Sequence, residues 1–260
     1  MIRVLVNGAD GRMGSQVVKA VVADNELELV GGVSISHIGE DLGEIAGIGA
    51  LGLAVRAGLG TAVDELKPDV VIDFTTPQAV YGNVKTCIAH GVDIVVGTTG
   101  LTEKQREELG EEAKRGDTSL FIAPNFSIGA VLLMKVSADI AAYFPDAEII
   151  ELHHNNKLDA PSGTAVMTAD KIAAARRKAG AVPAPDRTRE SLEGARGASV
   201  QAVPVHSVRL PGYVAHQEVL FGGYGEILTV RHDSLDRKSF MPGVILAVKK
   251  VSSRKGLTFG

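Results

Sequence analysis

The first strand–helix junction constrains the fold of this chain more than any other segment. Ile2-Arg3-Val4-Leu5-Val6 has the apolar, β-branched composition of a buried strand, and we expect no targeting segment before it. It continues into Asn7-Gly8-Ala9-Asp10-Gly11-Arg12-Met13-Gly14, after which valines recur at helical spacing. A strand, a glycine-rich turn and a helix in this order form the phosphate-binding turn of a dinucleotide fold. In such a turn Gly8 permits the tight bend, Gly11 lets the backbone approach a pyrophosphate, and Gly14 lets helix and strand pack closely.

The first half of the chain alternates apolar strands with helices. This alternation implies right-handed crossovers and a doubly wound parallel sheet. Tryptophan is absent and aromatic residues make up only 4% of the chain, so the core must be aliphatic, as in a parallel sheet buried on both faces. Residues 39–59 are glycine-rich and predict a loop with a short element. The predicted strands are Arg3–Asn7, Leu27–Val33, Val70–Phe74, Ile94–Val96 and Leu120–Ala123, and the predicted helices are Met13–Ala23, Pro77–His90 and Thr102–Arg115.

Two loops in this half follow apolar strands and precede helices. They are Phe74-Thr75-Thr76-Pro77 and Gly97-Thr98-Thr99-Gly100. Because ligands of open α/β sheets lie over the carboxyl ends of the strands, we expect both loops to face a ligand. The competing interpretation is that the threonines are ordinary helix caps and that Pro77 is a first helical residue. Both roles are compatible, since a capped helix start still binds anions.

The pattern changes after residue 125. A strongly apolar helix over 130–144 leads into a strand over 147–152, and a further helix covers about 164–178. Residues 181–199 carry several Pro and Gly clusters and predict a long loop. Three strands then follow and are expected to be antiparallel, with a glycine-rich hairpin turn at 222–225: Val200–Val208, Ala215–Leu220 and Glu226–His232.

These patterns predict an α/β protein with a Rossmann-type parallel sheet and a second, α+β domain whose sheet is antiparallel or mixed. The dinucleotide-binding domain is expected to span 1–125, and the domain for substrate binding and oligomerisation to span 126–234. A closing helix, within 235–260, is expected to return to the first domain because a doubly wound sheet needs cover on both faces.

The segment from Glu151 to Thr164 is the densest in groups that bind anions and transfer protons. It reads Glu-Leu-His-His-Asn-Asn-Lys-Leu-Asp-Ala-Pro-Ser-Gly-Thr and joins the end of a strand to the start of a helix. A histidine at a strand end can donate or accept a proton near neutral pH, and a lysine four residues on adds a cation. The N–H groups of the helix start form an anion site. The segment predicts a pocket for a small anionic molecule that receives a proton; the competing interpretation is a polar loop with a core histidine.

Composition excludes several other classes of function. The formal net charge is −4 and no run of five Lys or Arg occurs, which argues against nucleic-acid binding. The one cysteine, Cys87, excludes an intrachain disulfide and a Cys-rich metal site, and its helical position indicates a small buried side chain. No apolar run is long enough to span a membrane. We therefore expect a cytoplasmic protein with no metal centre and no membrane or nucleic-acid partner.

With these motifs placed, the chain resembles the dihydrodipicolinate reductase (4-hydroxy-tetrahydrodipicolinate reductase) family over essentially its whole length. The resemblance rests on the glycine turn, the two threonine loops, Pro124-Asn125-Phe126-Ser127 and, most specifically, the His-His-x-x-Lys segment ending in Ser162-Gly163-Thr164. His206-Ser207-Val208-Arg209-Leu210-Pro211-Gly212 and the segment 216–222 also match. The final residues, 256–260, resemble the family's C-terminal segment ending early.

The resemblance implies an oxidoreductase of lysine and diaminopimelate biosynthesis. It would transfer a hydride from NADPH or NADH to a cyclic imine dicarboxylate, giving tetrahydrodipicolinate with loss of water. His153 would be the acid/base residue and Lys157 the proton donor, while the substrate carboxylates would bind His154, Ser162, Gly163 and Thr164. A homotetramer is also implied. The predicted cofactor-binding residues are Gly8, Ala9, Asp10, Gly11, Arg12, Met13, Ser34, Phe74, Thr75, Gly97, Thr98, Thr99, Pro124, Asn125 and Phe126.

The end of the second strand departs from the usual dinucleotide pattern. A carboxylate that holds the adenosine ribose often lies there, but this chain has Ser34-Ile35-Ser36-His37. No negative charge then repels a 2′-phosphate, so we expect NADPH to be used at least as well as NADH, unless Glu40 or Asp41 folds back to restore the ribose contact. Two alternatives to the reductase remain at this point: another dehydrogenase on the same fold, and a dinucleotide sensor without catalytic activity.

Overall fold

The computed structural model describes residues 1–260, which divide into two units. The first comprises Met1–Phe126 and Phe240–Gly260, and the second comprises Ser127–Ser239. No helix in the chain is both long enough and apolar enough to cross a membrane.

The first unit is built on a six-stranded sheet in which every pairing is parallel. Its strands are β1 (Ile2–Asn7), β2 (Leu27–Val33), β3 (Val70–Asp73), β4 (Asp93–Val96), β5 (Ser119–Ile122) and β11 (Gly256–Phe259). The spatial order is β11-β5-β4-β3-β1-β2, so the winding reverses between β1 and β3. A doubly wound sheet binds its ligand at such a point, beyond the carboxyl ends of the strands. The predicted α/β fold is confirmed.

Helices cover both faces of this sheet. They are α1 (Gly14–Val22), α2 (Leu42–Ala46), α3 (Leu59–Leu66), α4 (Val80–Ala89), α5 (Glu103–Arg115) and α8 (Met241–Val251). Valines and isoleucines of the central strands are fully buried between two apolar clusters, as expected of strands covered on both faces. Helix α8 packs against α1, β4 and β5 within this unit. Cys87 is buried in α4, and burial raises the pKa of its thiol.

Three features of the first unit differ from the sequence predictions. The segment predicted as loop with a short element is followed by α3, whose Leu59, Ala62 and Val63 bury one helical face. Strand β11 was not predicted; it extends the sheet by pairing with β5. Helix α4 begins at Val80, so Pro77 is not a first helical residue, and its N-cap makes no side-chain hydrogen bond.

The second unit contains a five-stranded mixed sheet with two long helices. Helices α6 (Ile128–Ile140) and α7 (Gly163–Ala179) flank the central strand β6 (Asp146–His153) in the chain. The sheet order is β10-β9-β6-β8-β7, with β7 (Ala198–Val200), β8 (Val203–Arg209), β9 (Ala215–Gly223) and β10 (Glu226–Ser234).

One pairing makes this sheet mixed, which is one of the two forms that were predicted for it. Strand β8 runs parallel to β6, because α7 crosses over between them, while β7, β9 and β10 pair antiparallel. The predicted hairpin is present, with Tyr224 and Gly225 as its two turn residues. The unit has its own apolar core around Ile149, Ile172 and Phe221.

Candidate functional site

The glycine turn between β1 and α1 is held too tightly for larger residues at two positions. Gly8 has φ +79°, and a Cβ there would lie 2.5 Å from the carbonyl oxygen of Phe74. A Cβ at Gly14 would lie 1.9 Å from the carbonyl oxygen of Gly8. The backbone N–H groups of Gly8 and Ala9 both donate to Val33 at the end of β2. The turn therefore brings the start of α1 against the strand ends, as a phosphate-binding turn requires.

A cavity of about 320 Å³ lies beside this turn in the first unit. Nine residues line it, and eight of them were predicted to bind a cofactor: Gly11, Arg12, Met13, Phe74, Thr75, Gly97, Thr98 and Thr99. The ninth, Pro77, was not predicted. The threonines of the second loop are not helix caps, because Thr102 caps α5 in a capping box with Gln105. The glycine turn and both threonine loops thus meet at one cavity.

Asp73, the last residue of β3, forms hydrogen bonds with both threonine loops. Its carboxylate is fully buried and accepts hydrogen bonds from the Thr75 hydroxyl at 2.9 Å and the Thr98 hydroxyl at 2.7 Å. The amide groups of Asn7 and Asn83 donate to its other oxygen at 2.9 and 2.8 Å. Thr98 in turn accepts from the backbone N–H of Thr75 at 2.7 Å. The sequence analysis did not predict a role for Asp73. Its position near the end of a predicted strand, directly before a threonine loop, was the available indication.

The remaining predicted cofactor residues lie outside the cavity lining. Phe126 is buried, with its ring 5.8 Å from that of Phe74 and 6.0 Å from that of Phe121. Pro124 is exposed and Asn125 half-buried, in the loop that follows β5. Ala9 is fully buried within the glycine turn.

The carboxylate of Asp10, in the glycine turn, lies beside the residues that follow β2. Asp10 accepts a hydrogen bond from the Ser36 hydroxyl at 2.5 Å. Burial raises the pKa of Asp10, but hydrogen bonds from Ser34 and Ser36 outweigh it, so the pKa is lowered. Asp41 caps α2 and accepts four backbone N–H groups, so it does not fold back to the end of β2. Glu40 is paired with His37 at 3.1 Å.

In the second unit, His153 ends β6 as predicted. Its Nδ1 lies 2.5 Å from Oε2 of Glu151, and its side chain is mostly buried. Glu151 is fully buried and also accepts from both terminal nitrogens of Arg209, at 2.7 and 2.9 Å. Burial raises the pKa of Glu151, but hydrogen bonds from His153, Arg209 and Ser207 lower it to about 2. Glu151 is thus a carboxylate, and it leaves Nε2 of His153 as the nitrogen available to a ligand.

Lys157 lies in the loop between β6 and α7. Its Nζ donates to Oδ1 of Asp159 at 2.7 Å, and this bond lowers the pKa of Asp159 against the opposing effect of burial. The backbone N–H of Lys157 donates to the carbonyl of His154, which closes a turn. His154 is half-buried immediately after the strand end.

The anion site was predicted at the first turn of α7. Ser162 is its N-cap and accepts from the N–H of Ala165 at 3.2 Å, while Gly163 is exposed and Thr164 half-buried. The backbone N–H of Ser162 donates to Glu151 at 3.3 Å, which ties the helix start to the strand that ends at His153. Within the helix, the Thr168 hydroxyl donates to the carbonyl of Thr164 at 2.7 Å. Helix starts of this kind attract carboxylates.

The sequence analysis predicted no individual role for Glu151 or Arg209. It named Glu151 only as the first residue of the segment that ends at Thr164, and Arg209 only within the segment 206–212 that matches the family. Strand periodicity was the signal for Glu151, since residues two apart share a face with the strand-end histidine.

Comparisons with known proteins agree on one family for both units. The family described as dihydrodipicolinate reductase, N-terminus, matches residues 2–126, and its C-terminus counterpart matches residues 129–260. The 4-hydroxy-tetrahydrodipicolinate reductase of Syntrophomonas wolfei is 47% identical over 99% of this chain and 96% of its own. That of Listeria monocytogenes is 50% identical over 100% of this chain and 98% of its own.

Solved structures give the same result. A dipicolinate-bound dihydrodipicolinate reductase from Paenisporosarcina superposes with a TM-score of 0.87 at 44% identity, covering 100% of this chain and 98% of the other. An amine dehydrogenase from Mycobacterium smegmatis, with a TM-score of 0.65 at 14% identity, shares the fold alone. The predicted family is confirmed: the chain belongs to the dihydrodipicolinate reductase family, NAD(P)H-dependent oxidoreductases that reduce 4-hydroxy-tetrahydrodipicolinate in lysine and diaminopimelate biosynthesis.

Proposed function

We propose that the second unit binds the cyclic imine dicarboxylate and protonates it, while the first unit binds the reduced nicotinamide cofactor. The observation that carries this proposal is the grouping of His153, Lys157 and the start of α7 at the end of β6. The cluster combines two proton-bearing side chains with an anion site, which is what a dicarboxylate that gains a proton needs.

The substrate carboxylates would bind at the first turn of α7. Ser162 and Thr164 supply hydroxyl groups, and the helix start supplies N–H groups and the positive end of the helix dipole. His154 follows the strand end beside this turn and would bind a carboxylate oxygen. A planar pyridine dicarboxylate has the same two carboxylates, so we propose that it occupies this site as a competitor of the substrate.

Lys157 and His153 would divide the proton transfers between them. The ammonium group of Lys157 would donate at the ring nitrogen. Negative charge builds up there when hydride adds to the carbon that lost water, because the C=C bond left by that loss is conjugated with the imine. His153 presents Nε2 while Nδ1 is occupied by Glu151, so it can act as the acid/base group that assists the loss of water.

The first unit fits a dinucleotide cofactor. The close approach of the backbone at Gly8 and Gly14 leaves no room for a side chain, and the cavity lined by both threonine loops lies beside that turn. When bound, NADPH or NADH supplies the hydride. Arg12 and the cavity-facing threonines would hold it.

The adenosine ribose would lie at the end of β2, where Ser34 and Ser36 donate to Asp10, so either hydroxyl would exchange that hydrogen bond for one to the ribose or its phosphate. We propose that NADPH is used at least as well as NADH, because Ser34 carries no charge and Arg12 supplies a cation in the same turn as Asp10.

The test of the catalytic assignment is turnover of synthase-generated imine, followed by loss of reduced-nicotinamide absorbance. His153→Gln and Lys157→Ala should each lower kcat by about two orders of magnitude or more, the scale of lost proton transfer. Lys171→Ala, an exposed lysine on α7, is the matched control and should retain wild-type rates. A wild-type rate in either site variant would remove that residue from the mechanism, and cofactor binding without any turnover would favour a sensor.

We further propose a cytoplasmic homotetramer. The cytoplasm holds the reduced nicotinamide pool that the reaction consumes. The exposed apolar side chains Ile227 and Leu228 on edge strand β10 support an interface on the second unit's sheet. Light scattering on the purified chain tests the tetramer, and Ile227→Lys should reduce the assembly.

A further inference from the structure

The buried carboxylate of Glu151 lies on the same face of β6 as the strand-end histidine. Alternate residues of a strand share a face, so Glu151 and His153 point the same way, and their side chains meet at 2.5 Å. The neighbouring strand β8 places Ser207 opposite Glu151 and Arg209 opposite His153. The parallel register thus surrounds one carboxylate with donors from two strands.

The two oxygens of this carboxylate have different partners. Oε1 accepts from Nη2 of Arg209 at 2.7 Å and from the backbone N–H of Ser162 at 3.3 Å. Oε2 accepts from Nη1 of Arg209 at 2.9 Å and faces Nδ1 of His153. Arg209 is itself fixed by the carbonyls of Val208 and Asp159, both at 2.8 Å. The carboxylate is therefore clamped and cannot turn away from the imidazole.

We infer that Glu151 is the positioning residue of the reaction: it holds His153 in the tautomer protonated at Nδ1, so that Nε2 faces the substrate, and Arg209 fixes Glu151 in that orientation. An ionised carboxylate only accepts hydrogen bonds, so Nδ1 must carry the proton. The hydrogen bond made by one ring nitrogen sets the state of the other. This inference rests on the proposed role of His153.

The contacts predict a specific defect in Glu151→Gln. The side-chain oxygen of glutamine should take the Oε1 position, because Arg209 and the backbone N–H of Ser162 both donate there and neither can become an acceptor. At the Oε2 position only one of the two partners, Nη1 of Arg209, must remain a donor, since Nδ1 of His153 can lose its proton. The amide NH₂ group then occupies the Oε2 position and donates to Nδ1 of His153. The imidazole is driven to the opposite tautomer, with its proton on Nε2.

The experiment combines kinetics with heteronuclear NMR of the histidine nitrogens, the His153 signals being assigned with His153→Gln. Glu151→Gln should lower kcat by about a hundredfold and change the substrate KM only a few-fold, and the Nδ1 signal should change from the protonated to the unprotonated type. Glu148→Gln is the matched control. Glu148 lies on the same strand and also pairs with a histidine, His206 at 2.8 Å, and an arginine, Arg196, but it faces away from His153. Its kcat should be unchanged.

A double-mutant cycle separates positioning from a general structural effect. In the His153→Gln background, Glu151→Gln should cause no further loss of kcat, because its only route to the reaction is absent. The inference would be overturned if the losses of kcat from the two substitutions multiplied in the double variant. An unchanged tautomer or a wild-type kcat in Glu151→Gln would also overturn it. If Glu151→Gln does not fold, Arg209→Lys serves instead: it should lower kcat by about tenfold and broaden the His153 signals, and no change in either would overturn the inference.

The same set of variants distinguishes failure of this inference from failure of the proposed function. Wild-type kcat in His153→Gln would remove His153 from the mechanism altogether. Loss of activity in His153→Gln together with normal activity in Glu151→Gln would overturn the positioning role alone.

Discussion

The glycine turn provides the sharpest test of how this chain makes room for a dinucleotide, through the substitution Gly14→Ala. A methyl group at Gly14 would lie 1.9 Å from the carbonyl oxygen of Gly8, 2.8 Å from its carbon, and 2.9 Å from Cα of Ala9. All three are backbone atoms, so no side-chain rotation relieves the overlap. To reach an ordinary contact distance, α1 and the turn must separate by more than about 1 Å, which core packing resists.

We expect Gly14→Ala to lower the free energy of unfolding by about 1–3 kcal/mol, the usual cost of overpacking. The matched control is Gly82→Ala in helix α4 of the same unit, where an added Cβ meets nothing within 4 Å. That variant should gain about 0.5–1 kcal/mol, because alanine loses less backbone entropy than glycine in a helix. The two alanine variants should thus differ in sign.

The assay is urea unfolding followed by circular dichroism, together with titration of NADPH fluorescence, which no tryptophan obscures since the chain contains none. Opening the turn should weaken NADPH binding in Gly14→Ala by about tenfold or more, equivalent to about 1.4 kcal/mol, and leave it unchanged in Gly82→Ala. If Gly14→Ala matched the wild type in both stability and NADPH affinity, the assignment of this turn would be wrong.

Four further predictions follow from the two sites. Asp73→Asn places an amide NH₂ group among groups that now donate hydrogen bonds to the Asp73 carboxylate, so it should weaken NADPH binding about tenfold with little change in substrate KM. A change confined to substrate KM would show that Asp73 does not act by holding the two threonine loops. Thr164→Val should raise substrate KM by the equivalent of about 1.5–3 kcal/mol and hardly alter NADPH affinity; the reverse pattern would show that the domain roles are wrong. Ser34→Asp should shift kcat/KM toward NADH by about tenfold, and a strong NADH preference in the unmodified chain would refute the reasoning. The pKa of Glu151 falls from 4.5 to about 2 on folding, so the stability that its ionised form contributes is complete above pH 4.5 and is lost as the pH falls toward 2. The difference in unfolding free energy between wild type and Glu151→Gln, about 3 kcal/mol at most, should therefore become smaller between about pH 6 and about pH 3. Urea unfolding that gave the same difference at both pH values would contradict this prediction.

The parallel sheet was predictable because its strands are short β-branched runs that alternate with helices. Strand β2 was predicted with its observed bounds, and the other four predicted strands of this sheet differ by one residue at one or both ends. The sequence pattern did not predict two elements that depend on tertiary contacts, α3 and β11. Helix α3 follows a glycine-rich segment that masks its apolar face, and β11 has only four residues and gains its strand conformation from pairing with β5.

The direction of β8 was also beyond the sequence pattern. Its alternation fits a half-buried strand in either direction, and only the path of the chain through α7 decides that it pairs parallel to β6. This register matters for the site, because it brings Ser207 and Arg209 beside Glu151 and His153.

The candidate site residues divide in the same way. His153, Lys157 and Ser162 could be predicted from the sequence because proton-transferring and anion-binding residue types cluster within one loop and at one helix start. Arg209 could not be found so, because it is 58 positions from its partner Glu151. Only the fold brings the two together.

Both units share one feature that the sequence pattern does not reveal: a buried carboxylate near the carboxyl end of a strand that fixes groups of the proposed ligand site. Asp73 ends β3 and holds the hydroxyls of Thr75 and Thr98, and Glu151 lies two residues before the end of β6 and holds His153. A buried carboxylate is costly unless it is fully hydrogen-bonded, so each persists only with a complete set of donors. Those donors are then fixed in place, which is the preorganisation that binding and proton transfer require. Substitutions at Asp73 and Glu151 should therefore impair cofactor binding and proton transfer respectively, although neither carboxylate is proposed to contact a ligand.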